Sequence, residues 1–227
     1  MENVIVIISR YNENLSWLLE SPFNQFKYIV YNKGINNNFE KTNVIQIINL
    51  PNVGKCDHTY LYHIVENYDN LSNIVVFLPG SVDIQNKKQK AIRILNNIIK
   101  NNYKNAFFIG EYHNNIKEKF NNFSLNKFST SNSQNFSINP ESKLQLCRIR
   151  PYGRWFQYFF GNIQPHWSTY WGIFSIDKRD IIQHPIERYH QLLKTVNKHS
   201  NPEAGHYLER SWCAVFYPLF FTVKIRE

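Results

Sequence analysis

Apolar and polar positions along this chain follow two periods in turn. Asn3–Ser9, Phe26–Tyr31, Asn43–Ile48, Asn73–Leu78 and Ala106–Ile109 are short runs rich in β-branched and aromatic residues, read as buried strands. Between them the spacing turns helical. Tyr60, Leu61, Ile64, Val65 and Tyr68 make one stripe within residues 57–68, and Ile92, Leu95, Ile98 and Ile99 make another. Asn14–Leu19 reads as a short helix. Strand and helix alternate through the first half, which predicts an α/β domain with a mainly parallel central sheet flanked by helices, Rossmann-like in plan. Residues 121–142 are rich in Asn, Ser and Phe without a period, and predict a long loop or a flap over a site. Trp171–Ile176 is a further strand candidate. Helices are expected over Pro185–Val196 and Glu203–Phe216, giving the domain a helical C-terminal end.

Composition narrows the classes. The chain has 227 residues, 43% hydrophobic and 19% charged, enough to bury one core and to exclude wholesale disorder. No apolar run approaches the roughly 20 residues of a membrane span, and no signal peptide is expected at Met1. Three cysteines without a Cys-x-x-Cys pair point to a reducing compartment, hence the cytoplasm. Asn occurs 31 times and Ile 26 times, against 4 Ala and 8 Gly. That is the signature of an A/T-rich genome, such as that of a large DNA virus or a parasite, which extends the expected location to a host cytoplasm or a virion. The same bias enriches Lys, so the net charge of +9 speaks only weakly for an anionic partner.

Candidate chemistry gathers where strands end, since ligands of open α/β sheets bind beyond the carboxyl ends. Arg10–Glu13, Asn32–Gly34 and Gly80–Asp83 occupy three such positions, although Asn, Gly and Asp also serve ordinary turns. Gly54-Lys55-Cys56-Asp57-His58 opens a helix, whose free N–H groups suit a phosphate. Asp57 serves equally as an N-cap there. Asp83 is a single acid in a turn that can face a divalent cation or cap the next helix. His206 and Glu209, three residues apart, share a helix face with Trp212 nearby, as a metal ligand and a base or as a surface hydrogen bond. Arg148, Arg150 and Arg154 interleave with Tyr152, Trp155, Phe156 and Tyr158. Such a stretch can grip a diphosphate, stack on single-stranded nucleic acid, or cover a core. A basic stripe alone is weak support for nucleic acid.

The segments VIVIISRYNENLSWL, YIVYNKG, LPNVGKCDHTYLYHIVENYDNL and IVVFLPG resemble a family of uncharacterised proteins, a domain of unknown function found in fungi, bacteria and large DNA viruses. That family resembles glycosyltransferases of the glycosyltransferase-A fold. The ending WGIFSIDKRDIIQHPIERYHQLL…HYLERSWCAVF is similar to theirs. The resemblance covers about residues 3–80 and 166–217. It implies a nucleotide-sugar donor, a glycan or protein acceptor, and Mn²⁺ or Mg²⁺. Carried over by position, it sets Arg10, Asn12, Asn32 and Lys33 near the nucleotide, Gly80, Ser81 and Asp83 at the place of the metal-binding pair, and His206 and Glu209 towards the donor phosphates or the acceptor. Together with the residues read from their own spacing, the substrate-binding candidates then include Glu13, Gly54, Lys55, His58, Arg154 and Trp212, the metal candidates are Asp83 and His206, and the catalytic candidates are Glu209, Asp57 and Asp83. The Asp-x-Asp pair of such transferases is missing, with Ser81 and Asp83 in its neighbourhood. Cys56 stands where an acid is expected two residues after Gly54. A metal-independent enzyme, an inactive interaction module and a viral nucleic-acid-binding protein therefore remain as alternatives.

Overall fold

The computed structural model describes residues 3–127 and 143–227. The apolar runs form β1 (Val4–Arg10), β2 (Tyr28–Asn32), β3 (Val44–Asn49) and β4 (Ile74–Pro79), with α1 (Lys55–Glu66) crossing from β3 to β4. Next come α2 (Gln85–Lys100), β5 (Phe107–Tyr112) and α3 (Ile116–Lys119). The second half contains α4 (Tyr152–Phe160), β6 (Trp167–Ser168), β7 (Phe174–Asp177), α5 (Lys178–Ile182), α6 (Ile186–Leu193), α7 (Glu203–Val215) and β8 (Val223–Arg226).

The main sheet has the order β3-β2-β1-β4-β7. Its first four strands are parallel, and β7 runs antiparallel to β4. Residues alternate between two cores. Ile5 and Ile7 of β1 join Val75 and Phe77 of β4 in one, under α1, α4, α6 and α7. Val4, Val6 and Ile8 join Ile74, Val76 and Leu78 in the other, under α2 and the Trp17–Phe23 segment. Both faces are covered, so these strands read as unbroken apolar runs.

The structure departs from the sequence-based plan in three places. β5 does not join the main ladder but lies in a second sheet, β6-β5-β8. Ser175 of β7 makes the junction, its hydroxyl accepting the Phe107 N–H at 2.7 Å and donating to the Phe107 carbonyl at 3.0 Å. Asn14–Leu19 holds only a 3-10 turn over Ser16–Leu19. The strand expected at Trp171 starts at Phe174, because Trp171 and Gly172 both have φ of +66° and cannot extend a strand. Of the expected flap, residues 121–127 pack on α4 and α7: the Phe123 carbonyl accepts the Tyr152 N–H, and the Leu125 N–H donates to Glu203. Residues 128–142 of that flap lie outside the described residues. No helix among the described residues is long and apolar enough to cross a membrane.

Candidate functional site

β1 and β4 are neighbours, and the chain leaves them towards opposite ends of the sheet. The crevice at their carboxyl ends is the topological switch point, where such sheets bind ligands. Three of the strand-end clusters predicted from sequence meet here. Arg10 is 1% exposed and spends its guanidinium on protein: Nε donates to the Glu13 carbonyl, Nη1 to Asn32 Oδ1 and the Asn36 carbonyl, Nη2 to Asn36 Oδ1. Glu13 Oε2 accepts the N–H groups of Tyr11 and Asn12. A Cβ on Gly80 would stand 2.7 Å from that oxygen, so Gly80 is the residue that lets β4 end against it. Trp17 Nε1 donates to the Gly80 carbonyl at 3.0 Å. Arg10, Glu13, Asn32 and Gly80, with the Asn12 backbone, therefore build a hydrogen-bonded floor at this end of the sheet.

Above the floor lies a group of lysines. Lys33, 7% exposed, directs Nζ at the carbonyl oxygens of Val53 and Lys55, at the start of α1. Gly54 and Lys55 have φ of +58° and +50°, a pair of left-handed residues that turns the chain into α1. A side chain at Gly54 would collide with the Val196 carbonyl oxygen at 2.2 Å. Lys55 Nζ lies 3.2 Å from His206 Nε2 of α7. Lys87, in the first turn of α2, donates to Ser81 Oγ at 2.8 Å. Two acids face this group. Asp57 is 3% exposed, and its Oδ1 has no hydrogen-bond partner. Glu209 of α7 is half-buried. Its Oε1 accepts the Trp171 N–H at 2.8 Å, and its Oε2 lies 3.6 Å from Arg210 Nη1.

Burial sets the electrostatics, because it disfavours the charged form of each group. It pulls Lys33 down to about 7, against the counter-pull of Cys56 and Asp57. It pulls Lys55 down to about 8, opposed by Asp57, Cys56 and Glu209. Lys87 moves down for the same reason. Burial, reinforced by Glu209, pushes Asp57 up to about 8. His206 falls to about 3 through burial and the adjacent Lys55 and Arg210, so its ring is neutral and faces the Lys55 ammonium as an acceptor. An arriving anion would favour the charged state of every lysine here.

Other expected residues lie elsewhere or play structural parts. Trp212 is fully buried against Phe174, Tyr60 and Phe216. His58 is buried beside Tyr62, and desolvation lowers it to about 4. Arg154 is exposed on α4, with no hydrogen bond or ion pair to the lysine group among the described residues. Tyr152, Trp155 and Phe156 turn into the core, and Arg150 pairs with Glu203 at 3.2 Å, so of the rings named in this stretch only Tyr158, 70% exposed, stays open beside the exposed Arg154 on α4. Asp83 is exposed in the turn before α2. The Nε2 of His206 faces the Lys55 ammonium. Among the described residues, no three His, Cys, Asp or Glu side chains gather to hold a metal. Sequence reasoning missed Lys87 and Lys90, in the polar run Asn86–Lys90, and Trp171. Their i, i+3 spacing was the available signal for the lysines.

The protein is thus a mixed α/β domain with a mostly parallel five-strand sheet and a group of lysines at the carboxyl ends of β1 and β4. The sequence matches the family described as Protein of unknown function (DUF3431) over residues 5–218, and the chain belongs to that family. No curated protein matches it.

Proposed function

We propose that this protein is a nucleotide-sugar-dependent glycosyltransferase that holds the donor diphosphate with lysines. The observation that carries this reading is the convergence of Lys33, Lys55 and Lys87 with Glu209 at the carboxyl ends of β1 and β4. The strand order β3-β2-β1-β4, with an antiparallel strand beyond β4, supports it as a nucleotide-binding plan. In the reaction the bond from the sugar's anomeric carbon to the phosphate oxygen breaks, and its electron pair leaves with the diphosphate. The acceptor oxygen forms the new bond and gives up its proton. Lys55, Lys87 and the α1 N-terminus stabilise the charge on the departing diphosphate, while Lys33, buried with its Nζ on the Val53 and Lys55 carbonyls, holds the start of α1 and adds its charge from beneath. Glu209, fixed by the Trp171 N–H and half-open to solvent, takes the acceptor proton. Asp57 is too deeply buried to meet an acceptor and acts through Lys55 as a positioning residue.

The test is thermal unfolding and calorimetry with pyrophosphate and a panel of nucleoside diphosphates, with and without Mn²⁺. The native state is expected to be stabilised without metal. Affinity is expected to fall as pH rises through about 7 to 8, where Lys33 and Lys55 lose their protons. Lys55→Met is expected to weaken binding at least about tenfold. Glu209→Gln is expected to bind the donor and fail to transfer. Absence of any shift with any of these anions overturns the reading, and full transfer by Glu209→Gln overturns the assignment of the base.

A further inference from the structure

The turn between β6 and β7 carries a tryptophan in a conformation that bulky residues avoid. Trp171 and Gly172 follow one another with φ of +66°. Held strain of this kind is kept only where its surroundings over-determine it, and it clusters at functional sites. The surroundings here do so. The Trp171 N–H is taken by Glu209 Oε1 at 2.8 Å, and the Gly172 carbonyl accepts the Tyr60 hydroxyl at 2.8 Å. A Cβ on Gly172 would stand 2.8 Å from Cys56 Sγ. The ring is only partly used in packing: Trp171 is 36% exposed, whereas Trp17, Trp155 and Trp212 are buried. The Nζ of Lys90 lies 5.6 Å from its ring centroid and is itself anchored on Thr169 Oγ1 at 2.9 Å. An open indole is thus held at a fixed angle beside the lysine group, hydrogen-bonded through its backbone to the carboxylate that faces the acceptor.

We propose that Trp171 is a stacking platform for the ring of a carbohydrate acceptor, so that the acceptor hydroxyl belongs to a pyranose. This inference rests on the transferase reading above. A pyranose presents an apolar C–H face that packs on an indole, and its hydroxyl at the ring edge then falls towards Glu209. An exposed ring set next to a base orients an acceptor without adding charge, which matches a subsite for a neutral sugar beside a cationic one for the donor.

The experiment is saturation-transfer NMR on the full chain with pyrophosphate present, using the methyl glycosides of glucose, galactose, mannose and N-acetylglucosamine as probes. The expected result is transfer to the ring C–H protons of at least one glycoside, weakened about tenfold or more in Trp171→Gly and partly kept in Trp171→Phe. Glycine adopts the left-handed conformation freely, which offsets part of the packing lost with the indole, so Trp171→Gly is expected to stay folded and to keep its pyrophosphate response. Equal glycoside binding by the parent and Trp171→Gly, or none by the parent while pyrophosphate binds, overturns the platform and leaves the donor site standing. Tighter binding of a nucleoside diphosphate than of pyrophosphate, lost in Trp171→Gly, gives the ring to the base and overturns the acceptor assignment. Failure of pyrophosphate itself to bind removes the transferase reading, and the platform with it.

Discussion

Asp57 shows how a single buried carboxyl ties stability to pH. Its folded-state value is raised from 3.8 to about 8, chiefly by burial and then by Glu209. Between those limits the folded chain binds a proton that the unfolded chain has released. The stabilisation from that proton is complete below about 4 and is lost as pH rises through about 8. Lys33 acts in the other sense: lowered from 10.5 to about 7, it makes the fold more stable as pH rises above that value. Asp57→Asn removes the first effect and, by taking away the carboxylate that opposes their lowering, deepens those on Lys33 and Lys55 in the same direction. Urea unfolding at pH 5 and pH 8 is therefore expected to show Asp57→Asn gaining on the parent between the two, and a constant difference would contradict the raised value. At this scale the sequence was informative where a residue's place is set locally. Gly54, Lys55 and Asp57 open a helix after a strand, so they could be placed at a strand-end crevice from spacing alone. Trp171 could not, because its left-handed backbone depends on Tyr60, Cys56 and Glu209, all distant in sequence.

Elements follow the same division. β1, β2 and β4 were legible because a strand covered on both faces is apolar along most of its length, whereas the edge strand β3, with Ile45 exposed, was legible from its β-branched residues. α4 was legible as an aromatic-basic stretch but not by its orientation. Which way its rings face is decided by partners such as Ser211, whose Oγ lies 2.9 Å from the Tyr152 hydroxyl. β8 left no trace, since Val223, Lys224 and Arg226 are exposed and its partner β5 lies more than a hundred residues earlier. What fixes β8 is a buried carboxylate. Asp180 of α5, fully buried, accepts the N–H groups of Phe220, Phe221 and Thr222, while the Thr222 hydroxyl accepts the Asp177 N–H. Asp180→Ala takes the acceptor from all three donors, the buried Thr222 N–H among them, and is expected to cost about 3 kcal/mol in denaturant unfolding. Asp180→Asn keeps one acceptor and is expected to cost less. A loss below ~1 kcal/mol in the alanine variant would mean that the segment finds other partners.

The whole molecule folds around the same crevice that the ligand is proposed to fill. Its side chains come from residue 10 to residue 209, contributed by β1, the ends of β2 and β4, α1, α2 and α7. The two cores meet across the central β1–β4 pair, and α7 packs in the same core as α1. A bound anion thus bridges elements that can separate only when the central sheet opens. Binding to the native state alone shifts the global equilibrium by mass action, whereas a ligand gripping a loop would protect only that loop. Hydrogen exchange with and without pyrophosphate distinguishes the two. Slowing is expected at amides of Val6, Ile7 and Ile8 in β1, Val75, Val76 and Phe77 in β4, and the buried turns of α7, by a similar factor at each. β8 holds only at the outer edge of the second sheet and is expected to open independently, with exchange unchanged by the anion. Protection confined to residues 54–58 and 169–172 would mean that the site closes locally, and that the two halves of the chain are coupled less tightly than their shared core implies.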